Sequence, residues 1–176
     1  MFNLCLQYLS KSMLMIACLL MSISLTVQAR TPLTHELKEA MAVMKAETEK
    51  LGVPRVEDET LYFGNTKING DFTLVDSLKE RFGGTATFFV KRGNEFVRVS
   101  TNVMKDGNRA VGTILDPNGP AIAAIKQGKA YYGIADVLGN ISDTGYEPIK
   151  NPNNQIIGIY YVGHSLFQDK SSKVTK

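Results

Sequence analysis

Residues 85–101, TATFFVKRGNEFVRVST, leave few options for how they fold. Two runs rich in Phe, Val and Thr flank Gly93-Asn94, a dipeptide that supplies the left-handed turn a two-residue hairpin loop needs. With Gly93 and Asn94 as the loop, Arg92 is predicted to face Glu95, Val90 to face Val97, Phe88 to face Val99 and Ala86 to face Thr101. Side chains alternate across a strand, so these pairs share one almost wholly apolar face, which should meet a core helix. The other face carries Thr87, Phe89, Lys91, Phe96, Arg98 and Ser100. One dry face and one mixed face predict a packed core on one side and a site on the other.

A helix suited to the dry face lies upstream. A helix is predicted over residues 34–51: Leu33 just before it and Leu37, Ala40, Met41, Met44 and Leu51 within it fall near one stripe with Lys and Glu between them. Gly52 and Pro54 end it. Short strands are predicted at residues 61–63 and 66–68, and a short helix at 74–82 stopped by Gly83-Gly84. The second hairpin strand is read as running on towards Val103, followed by a turn at Asp106-Gly107 and an extended piece at 110–115. A helix at 121–127 ends at Gly128, and three strands follow at 130–138, 144–149 and 155–162. Consecutive hairpins give an antiparallel sheet of about five or six strands with helices on one side, an α+β architecture.

The first 29 residues read as a secretory signal. Residues 12–27 are apolar and uncharged, Lys11 precedes them, and Val27-Gln28-Ala29 suits cleavage. An uncleaved anchor is the alternative, although the run is short for a span, which needs about 20 apolar residues. Cleavage places residues 30–176 in the periplasm or outside the cell. It also removes Cys5 and Cys18, both cysteines of the chain, so the exported domain has no disulfide and is held by its core. The polar end from residue 164 is read as a tail. Of the 20 basic residues only Lys11 is lost, leaving a near balance with 17 acidic ones. No basic cluster marks a nucleic-acid partner.

Six short runs carry a resemblance. They are Phe96-Val97-Arg98-Val99-Ser100-Thr101-Asn102, Arg109-Ala110-Val111-Gly112-Thr113, Tyr131-Tyr132-Gly133, Thr144-Gly145-Tyr146-Glu147-Pro148-Ile149, Ile156-Ile157-Gly158 and Tyr161-Val162-Gly163. In this order and spacing the chain resembles single Cache domains over about residues 33–163. Those are extracytoplasmic sensor modules of bacterial chemoreceptors and sensor kinases. The resemblance implies a PAS-like sheet behind a long N-terminal helix, and a small ligand, often an organic acid, bound on the sheet face away from that helix. It implies a membrane receptor or sensor kinase as a partner, and a homodimer formed through the helix. Receptors continue into a second span and a signalling region. This sequence ends at Lys176, so the polypeptide is expected to bind a ligand without itself passing a signal across a membrane.

Arg98 is the residue expected to meet a small organic anion, because a strand arginine forks two N–H bonds onto a carboxylate. Ser100 and Thr87 are expected to add hydroxyls, and Phe89 and Phe96 to form apolar walls. Tyr131 and Tyr132 point to opposite faces of a strand; Tyr132 is assigned to the ligand and Tyr131 to the core. Tyr146, in the next strand, is expected to close the site. An interaction module with a lost pocket, pairing with a receptor through the long helix, is the competing reading. No catalytic residue, metal site or cofactor is predicted. His35 and His164 have no nucleophile near them in sequence, and no HExxH, GxSxG or phosphate-loop pattern occurs.

Overall fold

A computed structural model describes residues 31–167, with side chains from residue 34 onward. The predicted signal, residues 1–29, and the end of the polar tail, residues 168–176, lie outside the described residues. Two compact units divide the chain, residues 1–35 and residues 36–176, and the second carries every strand described here.

Helix α1, Thr31–Leu51, buries Leu37, Ala40, Met41 and Met44 as its stripe. Leu51 falls off that stripe at 40% exposure, and Thr48 takes the next buried place. The Thr48 hydroxyl is satisfied there, by the carbonyl of Lys45 at 2.8 Å and by the Tyr160 hydroxyl at 3.0 Å. Three short strands follow: β1 (Pro54–Glu57), β2 (Thr60–Phe63) and β3 (Thr66–Lys67), forming a small antiparallel sheet in that order. β1 is an addition to the sequence reading. Its proline sits at the first position of an outer strand, where a missing N–H costs no ladder bond. Helix α2, Thr73–Phe82, ends at Gly83.

The hairpin is β4 (Thr85–Arg92) and β5 (Glu95–Thr101), with Gly93-Asn94 as its loop. A two-stranded turn, β6 (Met104–Lys105) and β7 (Asn108–Arg109), leads to a strap at residues 110–116, which is not extended throughout as expected: it turns at Val111-Gly112, where the Thr113 N–H donates to the Ala110 carbonyl. Then come α3 (Pro120–Lys126), β8 (Tyr131–Val137), β9 (Asn140–Lys150) and β10 (Ile156–Ser165). The main sheet is antiparallel, five-stranded and ordered β5-β4-β10-β9-β8. The fold is thus α+β, as the sequence predicts, but the helices are not all on one side: α3 packs on the face opposite α1 and α2 through Ala121, Ile122 and Ile125.

Two cores form, one on each face. Leu37, Met41 and Met44 of α1 and Val75 and Leu78 of α2 pack on Phe88, Val90, Val97, Val99, Tyr160 and Val162. The opposite core gathers Phe89, Phe96, Ile159, Tyr146 and Tyr161 under the strap and α3.

The hairpin register holds only near the loop. Arg92 faces Glu95, Val90 faces Val97 and Phe89 faces Arg98, but a bulge follows, after which Phe88 faces Ser100 and Thr87 faces Thr101. The expected Phe88–Val99 and Ala86–Thr101 pairs do not form. Val99 is the extra residue, and one extra residue exchanges the faces of those beyond it. The strand also stops at Thr101 instead of reaching Val103. There Asn102 turns its side chain inward, accepting from the Ala86 N–H and donating to the carbonyl of Val75 in α2.

Candidate ligand site

Across the face away from α1, one residue from each strand stands in register. Tyr131 (β8) faces Tyr146 (β9), Tyr146 faces Tyr161 (β10), Tyr161 faces Thr87 (β4), and Thr87 faces Thr101 (β5). The rings of Tyr146 and Tyr161 are 4.9 Å apart between centroids, and those of Tyr131 and Tyr146 are 6.3 Å apart. The hydroxyls of Thr87 and Thr101 meet at 2.6 Å. A neighbouring row sets Ile159 against Phe89 and Phe89 against Arg98.

Glycines let the tyrosines lie down. Residues i and i+2 of a strand share a face, so a ring reclining along its own strand needs no side chain at i+2. Tyr161 reclines over Gly163, where a Cβ would overlap its phenol, and Tyr131 over Gly133. Gly163→Ala is expected to cost about 1–3 kcal/mol, because the Tyr161 ring is fully buried and the new methyl overpacks it. Urea denaturation reads this as a lower midpoint; an unchanged midpoint would mean that the ring repacks freely.

Arg98 is 3% exposed. Its guanidinium lies over the Phe89 ring, 4.8 Å from the centroid. Nη1 donates to the Thr113 hydroxyl at 2.9 Å and to the Ile114 carbonyl at 3.3 Å, both in the strap. Nε is buried with no hydrogen-bond partner. Burial lowers the Arg98 pKa, and the Tyr146 and Tyr161 phenols oppose that shift in part. Burial likewise raises the phenols, Tyr161 to about 12 and Tyr146 further. Tyr161 is held by the Thr85 hydroxyl at 3.0 Å. The arrangement is a cation in an aromatic frame, and among the described residues no carboxylate pairs with it.

Arg98, Phe89, Phe96 and Thr87 therefore share one face, as the alternation predicts, and Tyr146 of β9 lies on it too. Ser100 does not. The bulge turns it to the α1 face, where its hydroxyl donates to the carbonyl of Asp71. Tyr131 and Tyr132 exchange their expected places. Tyr132 packs on the α1 side and donates to Glu147 Oε1 at 2.7 Å, and Glu147 Oε2 accepts from Lys45 of α1 at 2.7 Å. Tyr131 stands on the Arg98 side. The sequence reading passed over Tyr161, Thr113 and Thr101. The repeated Tyr-x-Gly spacing at 131–133 and 161–163 is the signal that marks the two reclining rings.

The family model of the Cache 3/Cache 2 fusion domain matches residues 22–173. The chain belongs to that family. Cache domains are extracytoplasmic sensor domains that bind ligands, and this one carries the sheet and N-terminal helix described above. Among solved structures, this Cache domain is similar to the ligand-binding domain of the Campylobacter jejuni chemoreceptor Tlp3 in complex with L-valine. The TM-score is 0.42 at 14% identity, covering 81% of this chain and 62% of that one. The chain thus spans less than two thirds of that structure. No curated protein matches the sequence. No helix among the described residues is long and apolar enough to cross a membrane.

Proposed function

We propose that this Cache domain binds a small organic anion, with Arg98 on its carboxylate, and contributes to sensing through a partner protein. The observation that carries the reading is Arg98 itself, a buried cation with an unpaired Nε and, among the described residues, no acidic partner. Leaving a charged group so placed is costly unless something pairs with it, and a carboxylate matches the guanidinium fork. Thr87, Phe89, Phe96, Tyr131, Tyr146 and Tyr161 supply the walls, and Ser100 and Tyr132 drop out. A cleaved signal at 1–29 would deliver the domain to the periplasm or the outside, where a receptor or sensor kinase would read it. Pairing of two copies through α1 belongs to the same reading.

A thermal-shift screen tests this. Small monocarboxylates, dicarboxylates and amino acids are added to the protein, with amines and nucleobases as contrasts. A carboxylate at 100 times its dissociation constant is expected to stabilise the fold by about 2.7 kcal/mol. A shift with amines or nucleobases and none with any carboxylate overturns the ligand class.

One observation favours the second reading, an interaction module that pairs with a receptor through α1. Phe89, Phe96, Tyr146 and Tyr161 are all buried on the Arg98 face, and three clefts of about 370, 300 and 220 Å3 adjoin α1 on the other side. No shift with any compound, together with co-purification of a membrane receptor, supports it.

A further inference from the structure

We propose that residues 110–116 are a door over Arg98, opening as a unit to admit the ligand, and that Thr113 holds the guanidinium while the door is shut. This deepens the reading of Arg98 as the anion contact and rests on it. With Arg98 3% exposed, a carboxylate reaches the guanidinium only if something withdraws. The groups lying on Nη1 are the Thr113 hydroxyl and the Ile114 carbonyl, both from this one segment. Both are neutral acceptors. A carboxylate accepts more strongly from a guanidinium, so the exchange favours the ligand once the segment moves. The Thr113 hydroxyl keeps a partner of its own in the Ala110 carbonyl, at 2.7 Å.

The segment is attached in a way that permits this. Its Ala110 N–H donates to the Val103 carbonyl at 2.9 Å and Leu115 seats in the core beneath, while along the free edge of β5 it is held by three backbone bonds of 2.9 Å. The Arg98 N–H donates to Thr113, the Gly112 N–H to the Arg98 carbonyl, and the Leu115 N–H to the Phe96 carbonyl. Releasing them leaves every bond between β4 and β10 in place, as an independently opening unit requires. Its two ends are fixed. Arg109 grips Asp76 of α2 with two nitrogens, at 2.8 and 2.7 Å, and donates to the Thr101 carbonyl; beyond the segment, Pro120 starts α3. Gly112, at φ +84 with open space around it, lies within the segment just past the Arg109 clamp and lets it flex as it lifts.

A reversible lock tests the door. Val97 and Ile114 face each other across the β5 edge in a bridge. The flanking bonds make theirs a non-hydrogen-bonded pair, with Cα atoms about 4.5 Å apart, within reach of a disulfide. In the full chain with Cys5→Ser and Cys18→Ser, Val97→Cys and Ile114→Cys are oxidised or reduced. Phenylglyoxal modification of Arg98 is then followed by peptide mass spectrometry. Oxidation is expected to slow modification of Arg98 at least tenfold and to leave Arg55, a partly exposed side chain, unchanged. Equal rates in the two forms, or no modification of Arg98 when reduced, overturn the proposal. Hydrogen exchange on the unmodified protein is the second measurement. The Arg98, Gly112 and Leu115 amides should exchange together and at least tenfold faster than those between β4 and β10; equal protection overturns the door. Neither arm uses a ligand. Protection of Arg98 by propionate in the reduced form reports separately on the anion reading.

Discussion

Arg98→Ala is expected to weaken carboxylate binding by well over tenfold while leaving the domain folded. Removing one member of a buried, hydrogen-bonded charge pair typically costs about 2–5 kcal/mol, and each 1.4 kcal/mol is about tenfold in affinity. The unliganded fold should change little. The variant loses the stacking on Phe89, worth about 0.5–2 kcal/mol, and also loses a buried cation whose Nε has no partner. Arg98→Lys should recover part of the affinity, because an ammonium supplies the charge without the planar fork. Lys91, exposed near the hairpin loop, is the control, and Lys91→Ala should bind as wild type does. Isothermal titration with the carboxylate that gives the largest thermal shift decides it. Equal affinity for wild type and Arg98→Ala sinks the assignment.

Base should unfold this protein steeply. Tyr146, Tyr160 and Tyr161 are 1%, 6% and 0% exposed. Burial raises all three phenols, Tyr160 and Tyr161 to about 12 and Tyr146 beyond. In the unfolded chain they ionise near 10. Above that pH the unfolded state gives up protons that the native state keeps, so stability falls as pH rises. Below pH 10 both states hold the protons and nothing is lost. Each phenol contributes about 1.4 kcal/mol per pH unit in this window, so three contribute about 4. A domain of ordinary stability, about 5–15 kcal/mol, is exhausted within a few pH units. Tyrosinate absorbance and circular dichroism recorded together should show one cooperative transition above pH 10. Burial and the bond to Glu147 raise the Tyr132 phenol as well, so Tyr161→Phe should flatten the slope by about a quarter. Phenols that all ionise near pH 10 while the circular dichroism holds would refute the burial account.

Much of this was legible in the sequence, for identifiable reasons. Gly93-Asn94 set the turn, and the turn set the register as far as Phe89 and Arg98. The apolar spacing of Leu37, Met41 and Met44 placed α1 on the sheet. The bulge at Val99 was not legible, because Val-Ser-Thr reads equally well as regular strand. That one residue moved Ser100 to the far face and brought Thr101 opposite Thr87. Two adjacent tyrosines carry no alternation, so the phase of Tyr131 and Tyr132 was open to error. The glycine two residues after Tyr131 could have fixed it. The door was least legible, since residues 110–116 earn their place by bonding to an edge that exists only once the sheet has formed.

That edge has a consequence for solubility. β5 is an outer strand, and an outer strand offers a row of unpaired N–H and C=O groups to any second chain. Residues 112–115 occupy part of that row, taking the N–H of Arg98 and the carbonyls of Phe96 and Arg98. The chain therefore blunts its own sticky border with the same piece that shuts over the arginine. Each opening leaves the border bare. Concentrated protein held open should self-associate strand to strand, and the tendency should track how often the segment lifts.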